Sequence, residues 1–517
     1  MILVKPSVIS EIDNYAQSVL GIPTLTLMQR AGHAVARAVR DYVPEGASIA
    51  IFAGKGNNGG DGYAAALELT ASYDVTVYDV FGAGQNSDEG RHFLNEYTTV
   101  GGIVEHLTLD SRQLDRIRST GCVVDAVFGT GYTGELPEIA RELTAFFATL
   151  DSTVRIAVDV PLGINSELGT LTTQTPYCAT ATVVLGFVKM GLVSYPARKY
   201  VGKLVIDNIG LQNKDIIEHF PSTKYYVDSD LAIQMLPVRE SDSHKGTYGR
   251  LLMMTGSESY PGAAHLSLES AMRSGVGYVT YLGDRALCDS LVLRVPEAIY
   301  RPTSLAELTV SELDLACAHH TAILVGSGLG QDSAENLFAL LGHLLSTDGA
   351  PLILDADAIN VLAASGESAR RLIAASRRTV VLTPHPAELS RLIGISVTEI
   401  QSHRLEVAES VAAAYGCILV LKGAGTVVTD GTRTYINSSG CSALAKAGSG
   451  DVLAGHLASL VASGIAPIEA SALAVYLHGL AADLLSDELS ERGVIPSDLP
   501  RRIAVQIRNL ERKGAES

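Results

Sequence analysis

In the first half of the chain, three apolar runs each end in polar or acidic residues followed by glycine, the pattern of strand-end loops that hold small molecules. The first loop is Gly54-Lys55-Gly56-Asn57-Asn58-Gly59, continued by Gly60-Asp61-Gly62. Its GxGxxG spacing, with Asp79 twenty residues beyond Gly59, fits a dinucleotide fingerprint. Asp61 argues against that reading, because a carboxylate expected in the first turn of the next helix would repel the pyrophosphate that such a turn binds. Two adjacent amides and an acid make a polar cage instead, and a turn built only for packing would not need them. The second loop follows Asp125 and runs from Gly129-Thr130-Gly131 to Gly134-Glu135. The third, Val158-Asp159-Val160-Pro161-Leu162-Gly163, repeats the arrangement. A carboxylate that closes a parallel strand either caps a helix or serves a site, and two of them beside a polar loop read as one site.

The second half carries residues suited to phosphate chemistry. Asn437-Ser438-Ser439-Gly440 leads into Ala447-Gly448-Ser449-Gly450-Asp451, a glycine-rich opening to a long helix. Backbone N–H groups at such a start make an anion hole for a transferring phosphoryl group, and Asp451 in the first turn is placed to act as a base. Taken alone, Asp451 would read as a helix cap. Leu421-Lys422-Gly423-Ala424-Gly425-Thr426 offers a cation and a pliant backbone, and Val325-Gly326-Ser327-Gly328-Leu329-Gly330 offers a further glycine loop. Thr383-Pro384-His385-Pro386 holds a histidine rigidly at a strand end. No GxxxxGK[ST] pattern occurs, so the phosphate chemistry is not of the P-loop kind.

These loops need parallel sheets to present them, and the apolar runs supply the strands. Residues 48–53, 74–80, 122–128, 154–160, 182–187 and 203–207 read as strands, as do 251–255, 278–282, 322–326, 351–355, 379–383 and 417–422. Amphipathic segments separate most of them, which predicts parallel sheets covered by helices on both faces. Residues 7–43 predict two helices broken near Gly21-Ile22-Pro23, and 451–463 and 467–485 predict two more at the far end. A chain of 517 residues with 47% hydrophobic content supports two large domains. Residues 211–247 turn polar and irregular, and the boundary is expected there. A net charge of −17, from 56 acids against 39 bases, speaks against a nucleic-acid partner. The six cysteines are scattered without zinc-site spacing. The N-terminal residues have no signal-peptide core and no uncharged apolar stretch has the length of a membrane span, so a cytoplasmic enzyme without a membrane partner is expected.

Jointly, Asn57-Asn58-Gly59-Gly60-Asp61-Gly62, Val124-Asp125-Ala126-Val127-Phe128-Gly129-Thr130-Gly131 and the Asp159 loop resemble the NAD(P)H-hydrate epimerase family over roughly residues 1–215. The resemblance implies a Rossmann-like three-layer α/β domain. It implies that Asn57, Asn58, Gly59, Gly60 and Asp61, with Gly129, Thr130, Gly131, Tyr132, Thr133, Gly134 and Glu135, hold the hydrated nicotinamide nucleotide. It makes Asp159 the substrate-contacting proton carrier, and Asn58 and Asp125 the ligands of a potassium ion. Where the family commonly has a hydroxyl residue this chain has Leu162, which leaves the backbone carbonyl for the ion.

The second set of loops, with Lys245-Gly246-Thr247-Tyr248-Gly249, Tyr260-Pro261-Gly262-Ala263-Ala264 and Leu354-Asp355-Ala356-Asp357-Ala358, resembles the ADP- or ATP-dependent NAD(P)H-hydrate dehydratases over roughly residues 225–510. That implies a ribokinase-like three-layer α/β domain. By this resemblance Ala263, Gly328, His385 and Asp451 contact the hydrated cofactor, while Lys422, Gly423, Ala424, Gly425, Thr426 and Gly450 contact the nucleotide. Magnesium is the implied cofactor, with Asp355 and Asp357 assisting it or ordering the site. The expected partners are NADHX, NADPHX and ADP or ATP, with ADP favoured as donor, and the expected assembly is a homo-oligomer. The competing reading is a ribokinase-like small-molecule kinase with an accessory N-terminal nucleotide-binding domain.

Overall fold

Alternating side chains explain the first sheet. In the strand Ser48–Ala53, Ile49, Ile51 and Ala53 point to one face and Ala50 and Phe52 to the other, and all five are buried. A strand apolar on both sides must be sandwiched. The helices Thr24–Tyr42, Asn57–Leu69 and Asp88–Thr99 cover the first face, and Ser111–Arg118 and Glu138–Phe147 cover the second. The sheet runs Ile103–His106, Asp74–Asp79, Ser48–Ala53, Cys122–Ala126, Val154–Val158, Ala181–Leu185, Lys203–Asp207, parallel throughout. This order reverses direction between Ser48–Ala53 and Cys122–Ala126, the switch point where open α/β sheets bind ligands. The structure, a computed structural model, describes every residue except 83–85, 133, 151–152, 212–213 and 517.

The chain divides into two units, Ile2–Ser222 and Thr223–Ser517, the latter also taking Met1. The second unit is built on a sheet in the order Lys224–Val227, Thr434–Asn437, Val427–Thr429, Ile418–Leu421, Val380–Leu382, Leu352–Leu354, Ala322–Val325, Arg250–Met254, Tyr278–Gly283, Ile299–Pro302. Only the pairings of Val427–Thr429 with its two neighbours are antiparallel. Pro261–Arg273, Ser449–Ala462, Pro467–Leu489 and Leu499–Glu516 pack on one face. Ala334–Ser346, Asp357–Ala363, Pro386–Ile393 and Arg404–Tyr415 pack on the other. Pro467–Leu489 is long and apolar enough to cross a membrane by composition, but 78% of its apolar window is buried inside the protein, as a core helix should be.

The structure departs from expectation in three ways. The stretch 211–247 is not an irregular linker: it holds the helix Lys214–His219, the strand Lys224–Val227 and the helix Ser229–Met235. Elements this short do not complete enough periods to register as patterns. The strands Ile103–His106 and Ile299–Pro302 also escape the sequence reading, because as half-solvated edges they lack a continuous apolar run. The hairpin joining Val427–Thr429 to Thr434–Asn437 carried a signal in Asp430-Gly431.

Candidate functional site

Each unit gathers one set of the singled-out residues. In the first, Asn57, Asn58, Asp61, Gly129, Thr130, Gly131, Tyr132 and Asp159 line a cavity of about 450 Å³. Gly59, Gly60, Gly134 and Glu135 do not. A Cβ on Gly59 would stand 1.9 Å from the Gly54 carbonyl oxygen, and one on Gly60 would stand 2.5 Å from Met28 Cε, so both glycines serve close packing of the helix. Glu135 is exposed, its carbonyl accepting from Tyr132 Oη. Thr133 lies outside the described residues.

The helix Asn57–Leu69 begins with Gly56 as its cap, which puts Asp61 in the second turn rather than the first. Its carboxyl therefore faces the cavity instead of the helix N-terminus. Asp159 follows Val154–Val158 and stands at φ 63°, a strained conformation for a residue other than glycine. Its Oδ2 accepts from Thr130 N (3.3 Å) and Thr130 Oγ1, and its Oδ1 from Leu185 N (3.3 Å) and Lys189 Nζ. Lys189 is 1% exposed and spends a second hydrogen on the Leu185 carbonyl at 3.0 Å. Asp13, from the helix Pro6–Ser18, completes the acidic lining. Burial first, then repulsion from Asp159 and Asp13, holds the Asp61 carboxyl well above the usual carboxylate range. Burial likewise pushes Asp13 up to about 6 against the pull of Lys189.

Lys189 and Asp13 were not singled out from the sequence. A lysine inside an apolar run and an aspartate on an amphipathic helix carry no local mark of function, and only the sheet brings them together.

Asp125 lies beneath these loops, fully buried, with Oδ1 accepting from Val127 N (3.2 Å) and Oδ2 from Leu162 N (2.6 Å). Burial pushes it up to about 7 despite these hydrogen bonds. Asn58 Nδ2 is buried without a hydrogen-bond partner. Leu162 turns its N–H to Asp125, and its carbonyl, the group expected at the ion, accepts from Tyr177 N at 2.8 Å. Asp79 serves a turn, accepting from Phe81 N (3.2 Å) and Gly82 N (2.9 Å).

In the second unit the organising group is Asp355. Its carboxylate is 2% exposed and accepts from Ser327 Oγ (2.8 Å), Thr383 Oγ1 (2.7 Å) and Lys422 Nζ (2.8 Å), tying three strand-end loops together. Burial works to raise this carboxyl, but the Lys422 charge and the three hydrogen bonds win and hold it below the usual range. Burial works to lower Lys422, and Asp355 and then Glu388, 3.8 Å away, outweigh it. Through these bonds Asp355 holds Lys422 and the three loops in place. Replacing Asp355 by Asn takes from the buried Lys422 its hydrogen-bonded carboxylate and leaves Glu388, 3.8 Å away, as the nearest acid. A loss of about 3–5 kcal/mol in denaturant unfolding is expected, together with weaker nucleotide binding by calorimetry. Unchanged nucleotide affinity would mean that Lys422 keeps its place without Asp355.

Lys422 Nζ lies 3.5 Å from where a Cβ on Gly450 would stand, so the ammonium and the start of the helix Ser449–Ala462 flank one space. Asp451 is in that helix's first turn and the left-handed Gly448 is the cap, so Asp451 is free of the capping role. Burial, then Asp355, pushes Asp451 up to about 7, with Lys422 opposing. Gly328 stands at φ 67° and packs against Ala263, where an added Cβ would meet Ala263 Cβ at 2.5 Å. Gly330 N donates to Asp357 Oδ2 at 2.8 Å. The Thr426 hydroxyl closes its own loop onto the Gly423 carbonyl at 2.8 Å.

His385 caps Pro386–Ile393: its Nδ1 accepts from Ala387 N (3.1 Å) and Glu388 N (3.2 Å), and Glu388 answers on His385 N (2.8 Å). With Nδ1 accepting, the neutral ring carries its hydrogen on Nε2. Burial lowers the His385 pKa against Glu388, so the ring stays a neutral donor.

The family profile described as YjeF-related protein N-terminus matches residues 24–191, and that described as NAD(P)H-hydrate dehydratase matches 251–504. The bifunctional NAD(P)H-hydrate repair enzyme of Moorella thermoacetica is 34% identical, with 99% of this chain and 97% of that protein aligned. The enzyme of the same name from Escherichia coli is 31% identical over 94% and 90%. The ADP/ATP-dependent NAD(P)H-hydrate dehydratase of Bacillus subtilis, crystallised with ATP and Mg2+, is 34% identical, covers 55% of this chain and 98% of its own, and has a TM-score of 0.49. Both halves of the sequence are thus matched in one order along nearly its whole length, and the chain belongs to the bifunctional NAD(P)H-hydrate repair enzymes.

Proposed function

We propose that the first unit interconverts the R and S forms of hydrated NADH and NADPH, and that the second dehydrates the S form to the intact cofactor at the expense of ADP. The observation that carries the first half is the buried Asp159–Lys189 pair set among further acids in one cavity. Inverting a carbon that bears a hydroxyl next to a ring nitrogen requires removing and returning a proton, and Asp159 takes the hydroxyl proton. Asn58 and Asp125 would hold a potassium ion: the amide oxygen of the one and the fully buried carboxylate of the other are hard oxygen ligands of the kind that suit an alkali cation. Bound there, it supplies positive charge under the substrate loops.

In the second unit Asp451 takes the proton of the substrate hydroxyl as that oxygen attacks the terminal phosphoryl group. Lys422 and the N–H groups opening Ser449–Ala462 face the developing charge. His385 Nε2–H donates to a substrate or phosphate oxygen. Phosphate is a better leaving group than hydroxide. The ring nitrogen's electron pair expels it, and loss of a proton from the neighbouring carbon restores the dihydropyridine. Among the described residues no cluster of three His, Cys, Asp or Glu is arranged for a metal, so magnesium fits as an ion carried on the nucleotide phosphates, where it would neutralise charge.

The test is recovery of dihydronicotinamide absorbance from an epimeric mixture of hydrated NADH, with the purified protein, magnesium, potassium and either donor. Complete recovery with ADP is expected. No recovery with either donor, or a stable phosphoester as product, would replace this reading with that of a small-molecule kinase.

A further inference from the structure

The cavity of the first unit holds more acid than one proton transfer needs. Asp13, Asp61 and Asp159 line it together, and Lys189 is the cation bonded into the group. The hydrogen bonds on Asp159 come from Lys189, Thr130 and Leu185, and the rotatable Thr130 hydroxyl is the donor whose place a substrate hydroxyl takes. Asp13 comes from a separate element, the helix Pro6–Ser18, and Asp61 from the helix Asn57–Leu69. Three carboxylates cannot all ionise beside one ammonium in a desolvated space, so a proton stays in the cluster.

We infer that Asp13 is a second proton carrier of the epimerisation, passing a proton to and from the ring nitrogen of the substrate while Asp159 serves the hydroxyl. The inference rests on the epimerase reading above. As Asp159 removes the hydroxyl proton, a carbonyl forms at that carbon and the carbon–nitrogen bond breaks. Its electron pair goes to the nitrogen, which takes the proton from Asp13. After rotation about the adjacent carbon–carbon bond the nitrogen attacks the other face of the carbonyl and returns its proton to Asp13. The new alkoxide recovers the proton from Asp159. Nothing is oxidised or reduced, and both carboxyls end as they began.

The groups acting on Asp13 are Lys189, Asp159 and Asp61; Lys55 lines the same cavity, and the neighbouring helix Lys214–His219 stacks His219 on Tyr15 at 4.4 Å. Burial is the largest influence and pushes Asp13 up to about 6, so the protonated form that the reaction needs is lost as pH rises through that value.

The experiment follows conversion of a single isolated epimer by chromatography, without nucleotide, in wild-type, Asp13→Asn and Asp13→Glu full-length chains. Wild-type kcat/KM is expected to decline above pH ~6. Asp13→Asn should lower kcat about 10²-fold with KM little changed and should lose that decline, while Asp13→Glu should recover much of the rate. An Asp13→Asn chain within threefold of wild type and with the wild-type pH profile overturns the inference. So does an Asp13→Glu chain that binds substrate normally yet is as slow as Asp13→Asn. A wild-type chain that converts neither epimer points instead to failure of the epimerase reading.

Discussion

Asp451→Asn is expected to cut dehydration by about 10²–10⁴-fold, the range contributed by a positioned general base, and to leave epimerisation at the wild-type rate. Asparagine keeps the shape of the side chain and cannot take the hydroxyl proton. Wild-type kcat/KM for dehydration should rise with pH through about 7 and then level off, because the base must be ionised and burial with Asp355 has pushed Asp451 up to that value. The stability change runs the other way. A carboxyl raised in the folded state contributes stability below its unfolded pKa and loses it as pH climbs through the folded value, so ionised Asp451 is a cost at pH 8. Removing that charge should stabilise the chain there by about 2–4 kcal/mol. A chain that is more stable yet inactive separates a lost base from a lost fold, whereas wild-type turnover by Asp451→Asn would place the base elsewhere.

Asp159→Asn should stop epimerisation by a comparable factor and spare the dehydratase. Absorbance recovery from an epimeric mixture would then end at the share present as the S form. The substitution is clean in backbone terms, since asparagine tolerates the left-handed conformation at φ 63° better than most residues. It is less clean electrostatically. Lys189 is 1% exposed and would lose its ionised partner, so about 3–5 kcal/mol of stability should go with the activity. Rates are therefore to be compared at a temperature where unfolding shows the variant to be folded. Full recovery of absorbance by this variant would mean that Asp159 does not carry the hydroxyl proton.

Much of both sites was legible in the chain because glycine, asparagine and aspartate at the ends of apolar runs are local signals. Asn57, Asn58, Asp61 and the Gly129 loop sit where a parallel strand hands over to a helix, Asp159 and Lys422 just beyond the end of a strand, and Asp451 in the first turn of a helix, and each of these signals is written within a few residues. Which members of these loops line the cavity is decided locally as well. Gly59, Gly60 and Glu135 share a loop with cavity residues, but side-chain direction within a helix turn separates Asp61 from its neighbours.

By itself the sequence determined the two α/β units, the strand-end loops and the kinds of chemistry they support, since periodicity and turn residues act over short range. Tertiary structure alone decided who meets whom: Asp159 with Lys189, thirty residues on; Asp13 with both; Asp355 with Lys422, sixty-seven residues away; Asp125 with the Leu162 N–H. Those meetings depend on sheet order and on which side of each strand a residue leaves, quantities set by the packing of the whole layer. Burial follows from the same packing, and it is burial that turns ordinary aspartates into groups that hold protons near neutral pH.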